Sequence, residues 1–296
     1  MLRSLCTRGT RAARPARAAV AAATAAATLI FGVASVVPST ARAEHRVASP
    51  ADSSEYTYTF RLTARSTDAK GRTRDEPPLV ARVRTLGDRA RIDILEGSKD
   101  FSRGDYVLTD AAGTMMRKVS PTKREYSEAT LAELQHVFAA VVKASVERPR
   151  VALSTPQPGD MVVDLPTQRV RLERSYDAQM RIVLRSLRAS VRETTDVWAT
   201  TALSGFENPA ERLFTGMRRA VADGAASGGG ELASRTREVE SRIPGVPLKT
   251  VTTVVTETKD GRSTDVVTTE ITDIRRESTL APSDVEVPAG YRRRQS

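Results

Sequence analysis

Residues that could carry out nucleophilic, acid–base or metal chemistry are scarce in this sequence. The chain has one cysteine, Cys6, and two histidines, His45 and His136. Because Cys6 and His45 lie in or directly after an N-terminal leader, only His136 is left in the folded part. One histidine without a cysteine cannot form a His/Cys metal site, and no Ser/His/Asp set with an orienting partner can be assembled. The sequence therefore predicts no metal, no cofactor and no disulfide.

Two carboxylates form the one pair with a spacing of interest. Glu193 and Asp196 flank two threonines just before Trp198, and a pair of carboxylates is what a glycosidase uses as acid and base or nucleophile. Isolated carboxylates near a strand end are more often solvated or ion-paired. We therefore predict a protein that is not an enzyme, with a hydrolase acting through Glu193 or Asp196 as the alternative. A dry or remote position of these side chains would exclude that alternative.

Residues 1–43 have the pattern of a secretory signal. An arginine-rich start is followed by an uncharged run over residues 18–37, and Ala41-Arg42-Ala43 supplies the small residues that signal peptidase requires. We predict cleavage near Ala43, export to the periplasm and a flexible segment over residues 44–54. The alternative is a membrane anchor formed by residues 18–37, since that run is nearly long enough to span a bilayer.

The net charge does not indicate nucleic-acid binding. The full chain has 46 basic and 36 acidic residues, a net charge of +10, but six of the arginines belong to the leader. The remaining chain has 40 basic and 36 acidic residues, and aromatic residues are only 4% of the sequence. A basic groove with interleaved aromatics is therefore excluded. The sequence also lacks a phosphate-binding loop, a dinucleotide-binding glycine pattern and a calcium loop.

Strict alternation of apolar and polar residues predicts a largely antiparallel sheet. It begins at Tyr56 and recurs through about ten strands, among them residues 169–176, 178–184 and 188–200. Hairpin turns are expected at Gly87-Asp88, at residues 110–113 and at residues 259–262.

Helical spacing predicts a few helices among these strands. Ser127 is expected to cap a helix that runs to about Val146 and is stopped by Pro149. The strands are interrupted again over residues 206–243, where a glycine-rich break at 227–230 precedes a second helix over 231–242. Residues 282–291 are expected to be extended, and residues 292–296 to form a solvated basic tail, with contact to anionic lipid head groups as the alternative.

These elements predict a mainly β (α+β) fold. We expect one domain over residues 55–291, built as a curved, unclosed antiparallel β-barrel with helices packed on or plugging its concave face. Apolar residues would line that face, and Phe206 to Met217 could form a lid. Whether the lining is a filled core or leaves a cavity stays open. The lining candidates are Tyr56, Tyr58, Phe60, Leu62, Ile92, Ile94, Tyr106, Leu108, Leu172, Met180, Ile182, Trp198, Phe206, Leu213 and Met217.

Several short motifs resemble the periplasmic lipoprotein-carrier superfamily of LolA- and LppX-like proteins, and an uncharacterised domain family allied to it. The motifs are residues 195–198 (TDVW), 205–209 (GFENP), 243–249 (IPGVPLK), 269–274 (TEITDI) and 287–291 (VPAGY). The resemblance implies an unclosed β-barrel around helices, with a hydrophobic cavity for lipid or lipid-modified chains. The glycine-broken insertion over residues 223–231 departs from the compact carriers.

The sequence therefore predicts a non-enzymatic periplasmic protein that binds a hydrophobic ligand, a lipid or a lipoprotein acyl chain, as carrier or sensor. The alternative is an envelope interaction or sensor module with a filled core.

Overall fold

The structure is a computed structural model. It describes residues 55–98, 101–110, 113–133, 136, 142–182, 185–203, 206, 208–210, 212–213, 216, 226–227, 229–277 and 279–294.

Among the described residues, fifteen strands form one sheet. In chain order they are β1 (Thr57–Thr67), β2 (Thr73–Asp75), β3 (Leu79–Leu86), β4 (Arg89–Glu96), β5 (Tyr106–Asp110), β6 (Met115–Ser120), β7 (Glu125–Thr130), β8 (Val142–Leu153), β9 (Gln157–Pro158), β10 (Gln168–Ile182), β11 (Arg185–Thr200), β12 (Ala226–Ser227), β13 (Val246–Thr258), β14 (Gly261–Arg275) and β15 (Arg292–Arg293).

The sheet has two ends and does not close on itself. Its order is β12-β8-β10-β11-β13-β14-β1-β3-β4-β5-β6-β7-β15, with β2 beside β1 and β9 beside β10. Neighbours pair in antiparallel fashion except at the two ends, where the two-residue strands β12 and β15 pair in parallel with β8 and β7. The prediction of a mainly β fold built on a curved, unclosed antiparallel sheet is confirmed.

Two predicted hairpin turns are present, the third lies partly outside the described residues at 111–112 although β5 and β6 pair, and one prediction on strand number was wrong. Gly87-Asp88 joins β3 to β4, and the Lys259-Asp260 turn joins β13 to β14. The three strands expected over residues 169–200 are instead two long ones, β10 and β11, paired from Gln168–Ala199 to Ile182–Arg185. The expected break after Tyr176 does not occur, because Asp177 continues in the extended conformation.

The helix predicted from Ser127 to Val146 was wrong at its start. Ser127 lies within β7, opposite Lys118 of β6. The helical turn begins after Thr130, which forms a capping box with Glu133. The Glu133 amide donates to Thr130 Oγ1 at 3.1 Å, and the Thr130 amide donates to Glu133 Oε2 at 2.8 Å. The residues described as helical here are 131–133 and 136.

The same prediction was wrong at its end, because β8 begins at Val142 and runs through Pro149. Proline cannot donate to the ladder, and the strand accommodates it at a bulge. The register with β10 shifts between Ser175 and Asp177, and Arg148 has a φ of 53°.

The interruption between β11 and β13 contains helical residues at 209–210, 212–213 and 216, followed by helix α1 (Gly229–Glu240). Helix α1 starts two residues before the predicted Glu231, so Gly229 and Gly230 belong to the helix rather than to a flexible break. In the part of the chain that the structure describes, no helix has the length and apolarity needed to cross a membrane.

The two faces of the sheet are covered differently. We call the face that carries Tyr58, Phe60 and Leu172 the inner face, because both helical parts of the interruption pack on it. On the opposite, outer face a smaller core forms from Tyr106, Leu108 and Val119, with partly buried residues of the C-terminal segment packed against it.

Residues 282–291 were expected to be extended and 292–296 to be a solvated basic tail; the structure shows a short helical turn in the first part and a two-residue strand in the second. Pro282–Val285 form a short 3₁₀ turn, Val287 and Tyr291 pack on the outer core, and Arg292 and Arg293 form β15 against β7. Arg292 and Glu125 form an ion pair at 2.9 Å. Carboxylates of β7 therefore hold part of this arginine-rich end of the chain in place.

Candidate functional site

The largest apolar core lies on the inner face of β1, β3 and β4. Alternation along β1 directs Tyr58 and Phe60 to the same side, and the register aligns them with Val83 and Ala81 of β3. Its buried members are Tyr56, Tyr58, Phe60, Leu79, Ala81, Val83, Ile92, Ile94, Val107, Val162, Phe206, Ala210, Leu213, Leu248 and Ile271.

A segment outside the sheet covers this core, and we call its described residues, 206, 208–210, 212–213 and 216, the cover segment. Phe206 packs edge-on against Tyr56 and Tyr58, with ring centroids 4.9 and 5.3 Å apart. The Tyr58 hydroxyl donates a hydrogen bond of 2.6 Å to Asn208 Oδ1. Aromatic edge contacts and one buried hydrogen bond thus hold the cover segment on the sheet.

The core is closely packed where Asn208 of the cover segment meets the sheet. Between Phe60, Asn208, Leu248 and Ile271 only about 160 Å³ of narrow gaps remain, with no room for a water molecule. An acyl chain could reach the aromatic side chains of β1 only if the cover segment moved away.

The structure brings together nine of the fifteen predicted lining residues. Seven are buried members of the inner core, and Leu62 and Trp198 pack at its edge. The seven are Tyr56, Tyr58, Phe60, Ile92, Ile94, Phe206 and Leu213.

The other predicted lining residues lie elsewhere. Leu172 belongs to a second inner-face core, with Val170, Val197 and Ile243. In the backbone register Met180 is opposite Leu187 and Ile182 is opposite Arg185. Met217 lies outside the described residues.

Tyr106 and Leu108 were wrongly assigned to the inner face. The register pairs Ile92 with Val107, so Val107 points inward and its two neighbours point outward. Strand β5 is buried on both faces, and an uninterrupted apolar run does not show which residues face which side.

A polar stripe on the inner face was not predicted. Thr195 and Thr252 are buried with their hydroxyls 3.1 Å apart, and Thr250 and Thr269 are buried with theirs 2.6 Å apart. The sequence signal for this stripe was the presence of threonines at every second position of these strands. Threonine is favoured in half-buried strands, where two threonine hydroxyls on neighbouring strands can form a hydrogen bond.

Next to this stripe lies a buried ion pair between Arg174 of β10 and Glu193 of β11. The two residues are direct partners in the register, and their side chains are 4% and 1% exposed. Arg174 Nη2 donates to Glu193 Oε1, and Thr195 Oγ1 donates to the same oxygen at 3.4 Å. Within the described part of the chain, Arg174 Nε has no hydrogen-bond acceptor.

The geometry does not support the predicted alternative of a hydrolase acting through Glu193 or Asp196, because Glu193 is buried in an ion pair and Asp196 is ion-paired on the other face. Three residues apart on one strand, they point to opposite faces. Asp196 is held on the outer face by Arg171, at 2.9 Å, and Arg169, at 3.0 Å. The two carboxylates cannot act on one substrate. Across the described residues, no cluster of three or more His, Cys, Asp or Glu side chains is arranged to hold a metal ion.

Burial raises the pKa of two further side chains, Tyr176 and Asp265. Burial, and to a lesser degree the Glu193 carboxylate, raises the pKa of Tyr176, so its hydroxyl stays neutral. Burial on β14 raises the pKa of Asp265 from 3.8 to about 6. The folded state therefore disfavours the ionised form of Asp265.

We expect Asp265→Asn to stabilise the protein at neutral pH and not at pH 4. An acid with a raised folded-state pKa lowers stability as pH rises from about 3.8 to about 6, and the loss is complete above that range. Asparagine cannot ionise, so the variant should gain roughly 1–3 kcal/mol at pH 7.5. Urea unfolding of both proteins at pH 4, 5, 6 and 7.5 measures this. A constant difference across the four pH values would contradict it.

A groove of about 560 Å³ lies on the outer face. The C-terminal segment forms one wall, with Val285, Glu286 and Val287. The ends of β5–β7 form the floor and the other wall, with Leu108, Asp110, Arg117, Tyr126 and Glu128 among the lining residues. Its lining is mixed in charge and only partly apolar, unlike the inner face.

Comparisons with known proteins do not assign this chain to a family. No protein-family model matches it, and no curated protein matches it. A similar solved chain, described as "Structure of PNGF-II in P21 space group", is 8% identical with a TM-score of 0.24. The alignment covers 77% of this chain and 30% of that one. A TM-score this low carries no argument about fold or function.

Proposed function

We propose that this chain is an exported, non-enzymatic protein that binds one acyl chain, of a lipid or a lipoprotein, on the inner face beneath the cover segment. The observation that carries the proposal is that a segment outside the sheet, rather than another strand, buries the aromatic side chains of β1. The signal-like residues 1–43 support an envelope location, where such ligands occur.

A long acyl chain can gain more free energy by burial than the cover segment loses when it moves away. Phe206 and Leu213 contribute about 1.5–3 kcal/mol each by burial, and Ala210 less. An acyl chain gains about 0.8 kcal/mol for each CH₂ group that it buries. A chain of sixteen carbons can therefore displace the cover segment and still bind.

Loosening the cover segment should strengthen ligand binding. Tyr58→Phe keeps the ring and removes the hydrogen bond to Asn208, which destabilises the closed state by about 1 kcal/mol. Because the ligand binds the open state, we expect roughly fivefold tighter binding of palmitate. Trp198, the single tryptophan, lies at the core's edge and reports binding by fluorescence. Thr252→Val removes the buried hydrogen bond of 3.1 Å between Thr195 and Thr252, which do not line the gap beside Asn208, and should leave affinity unchanged.

Locking the cover segment should abolish binding. A Cβ placed at Gly216 would lie 2.6 Å from Leu131 Cδ1 and 3.7 Å from Leu131 Cγ, close enough for a disulfide in a Leu131→Cys/Gly216→Cys variant. The Leu131 amide is bonded to the Thr114 carbonyl at 3.0 Å, which anchors the crosslink to the sheet. We expect no palmitate binding when the variant is oxidised and recovery with reductant, with Leu131→Cys as control. Unchanged binding on oxidation, or no palmitate binding by the wild type, would contradict the proposal.

A second candidate function is supported by the close packing of the core beside Asn208. Because the gap between Asn208 and the sheet has no space for a water molecule, the inner face could be purely structural and the outer surface functional. This candidate predicts an interaction or sensor module that purifies from a periplasm without lipid. Native mass spectrometry of the secreted protein distinguishes the two, since a stoichiometric lipid adduct is expected only for the carrier.

A further inference from the structure

We propose that the edge of β7 and the adjoining outer groove bind a basic, extended segment of a partner protein, and that the chain's own Arg292–Arg294 occupies part of this site. The proposal concerns the outer face and does not depend on lipid binding. It rests on the way in which the tail is paired, on its weak retention and on the groove beside it.

The tail is added to the sheet as an extra parallel strand. The Arg292 amide donates to the Arg124 carbonyl at 3.0 Å, and the Arg294 amide donates to the Tyr126 carbonyl at 2.7 Å. These bonds use main-chain groups that any extended peptide possesses. Addition of a strand to a sheet edge is a recurrent mode of peptide recognition.

Charge makes this edge selective for basic segments. Glu125 of β7 pairs with Arg292 at 2.9 Å, and Glu128 of β7 pairs with Arg293 at 3.4 Å. Glu128 also pairs with Arg117 of β6. An acidic edge of this kind repels an anionic membrane, so a basic peptide fits it better than a lipid surface does.

The tail is held weakly enough to be displaced. The Arg292 and Arg293 side chains are 80% and 60% exposed, and exposed ion pairs contribute little because water and salt screen them. β15 covers only Glu125 and Tyr126 of the six-residue β7. A longer partner segment could make the same contacts and further ones along the edge.

The outer groove offers room for side chains of such a segment. Tyr126 and Glu128 of β7 line both the edge and the groove of about 560 Å³, whose lining has four carboxylates (Asp88, Asp110, Glu128 and Glu286) and two arginines (Arg89 and Arg117). A basic side chain that points from the β7 edge past Glu128 would enter the groove, where further carboxylates could accept its hydrogen bonds. The groove therefore extends the edge into a larger site.

The test uses a fluorescein-labelled peptide of residues 286–296 and the chain without its leader. The Arg292→Glu/Arg293→Glu variant repels its own tail from Glu125 and Glu128 and leaves the edge available. By fluorescence anisotropy we expect this variant to bind the peptide at least tenfold more tightly than the wild type. Adding Glu125→Gln and Glu128→Gln to the variant should abolish the gain, and 0.5 M salt should weaken binding.

Two controls make the outcome decisive. A peptide in which the three arginines are replaced by glutamate should not bind, and the fluorescence of Trp198, far from the edge in the sheet order, should be the same in every variant. Equal peptide affinity of wild type and variant, or a gain that survives the glutamate substitutions, would overturn the proposal. A wild type that dimerises by exchanging tails would overturn it too, because the occupant would then be a second copy.

Discussion

Glu193→Gln is expected to lower the free energy of unfolding by about 3–5 kcal/mol, far more than the loss of an ion pair on the surface. Arg174 and Glu193 are nearly inaccessible to water on the inner face. Removing the carboxylate's charge leaves the guanidinium buried without a counter-ion. The cost is dominated by that uncompensated charge rather than by one lost hydrogen bond.

Replacing both partners should have a much smaller effect. In Arg174→Met/Glu193→Leu neither charge of the pair is left, and apolar side chains of similar size take its place. Such replacements are often neutral or stabilising by about 1–4 kcal/mol. Urea unfolding of the wild type, both single variants and the double variant forms a double-mutant cycle.

The control for this cycle is an exposed pair in the same sheet. Arg65 and Asp75 are 62% and 65% exposed and 2.6 Å apart, so Asp75→Asn should cost no more than about 1 kcal/mol. If Glu193→Gln cost as little as Asp75→Asn, the buried pair would not be an energetic feature of the core. If the double variant were as unstable as the single one, the cost would come from packing instead of charge.

The strands were predictable because alternation is a local signal. β1, β3 and β4 each place one face inward, so every second residue is apolar, and the Gly87-Asp88 turn marks where the chain reverses. The helix around Ser127 was mispredicted because apolar spacing in residues 131–146 also fits a short helical turn followed by β8. A capping box at Thr130 and Glu133 was present in the sequence and located the true helix start.

The candidate site was only partly predictable, because which face a residue occupies depends on its partners. The alternation of apolar and polar residues in β1 placed Tyr58 and Phe60 on the inner face. Tyr106 and Leu108 lie on a strand that is buried on both sides, so its residues do not alternate in this way. The ion pair between Arg174 and Glu193 joins residues nineteen positions apart. Only the register of β10 with β11 brings them together, and register is a tertiary property.

Gly245→Ala is expected to cost about 3–5 kcal/mol of unfolding free energy. Gly245 has a φ of +76°, in the left-handed region, and a Cβ added there would lie 2.1 Å from the carbonyl oxygen of Thr200. The backbone strain accounts for about 1–2 kcal/mol. The clash adds about 1–3 kcal/mol or more, because the carbonyl belongs to the main chain of β11 and cannot rotate away as a flexible side chain could.

Gly71→Ala separates these two contributions. Gly71 also has a φ of +76°, but nothing lies within 4 Å of a Cβ added to it. Alanine at position 71 should therefore cost only the backbone strain, about 1–2 kcal/mol. Urea unfolding midpoints and slopes of both variants measure the difference. Equal losses at the two positions would show that the close approach to Thr200 is relieved at no cost.

The location of Gly245 gives this prediction a consequence for the cover segment. Thr200 ends β11 and pairs with Val246, the first residue of β13, so this contact closes the base of the interruption that carries Phe206 and Leu213. A side chain at Gly245 should force the two strand ends apart and loosen the cover segment together with the fold. If the acyl-chain proposal holds, Gly245→Ala should bind palmitate more tightly than Gly71→Ala at a temperature where both are folded. Identical affinities would mean that the base of the interruption and its cover segment are not coupled.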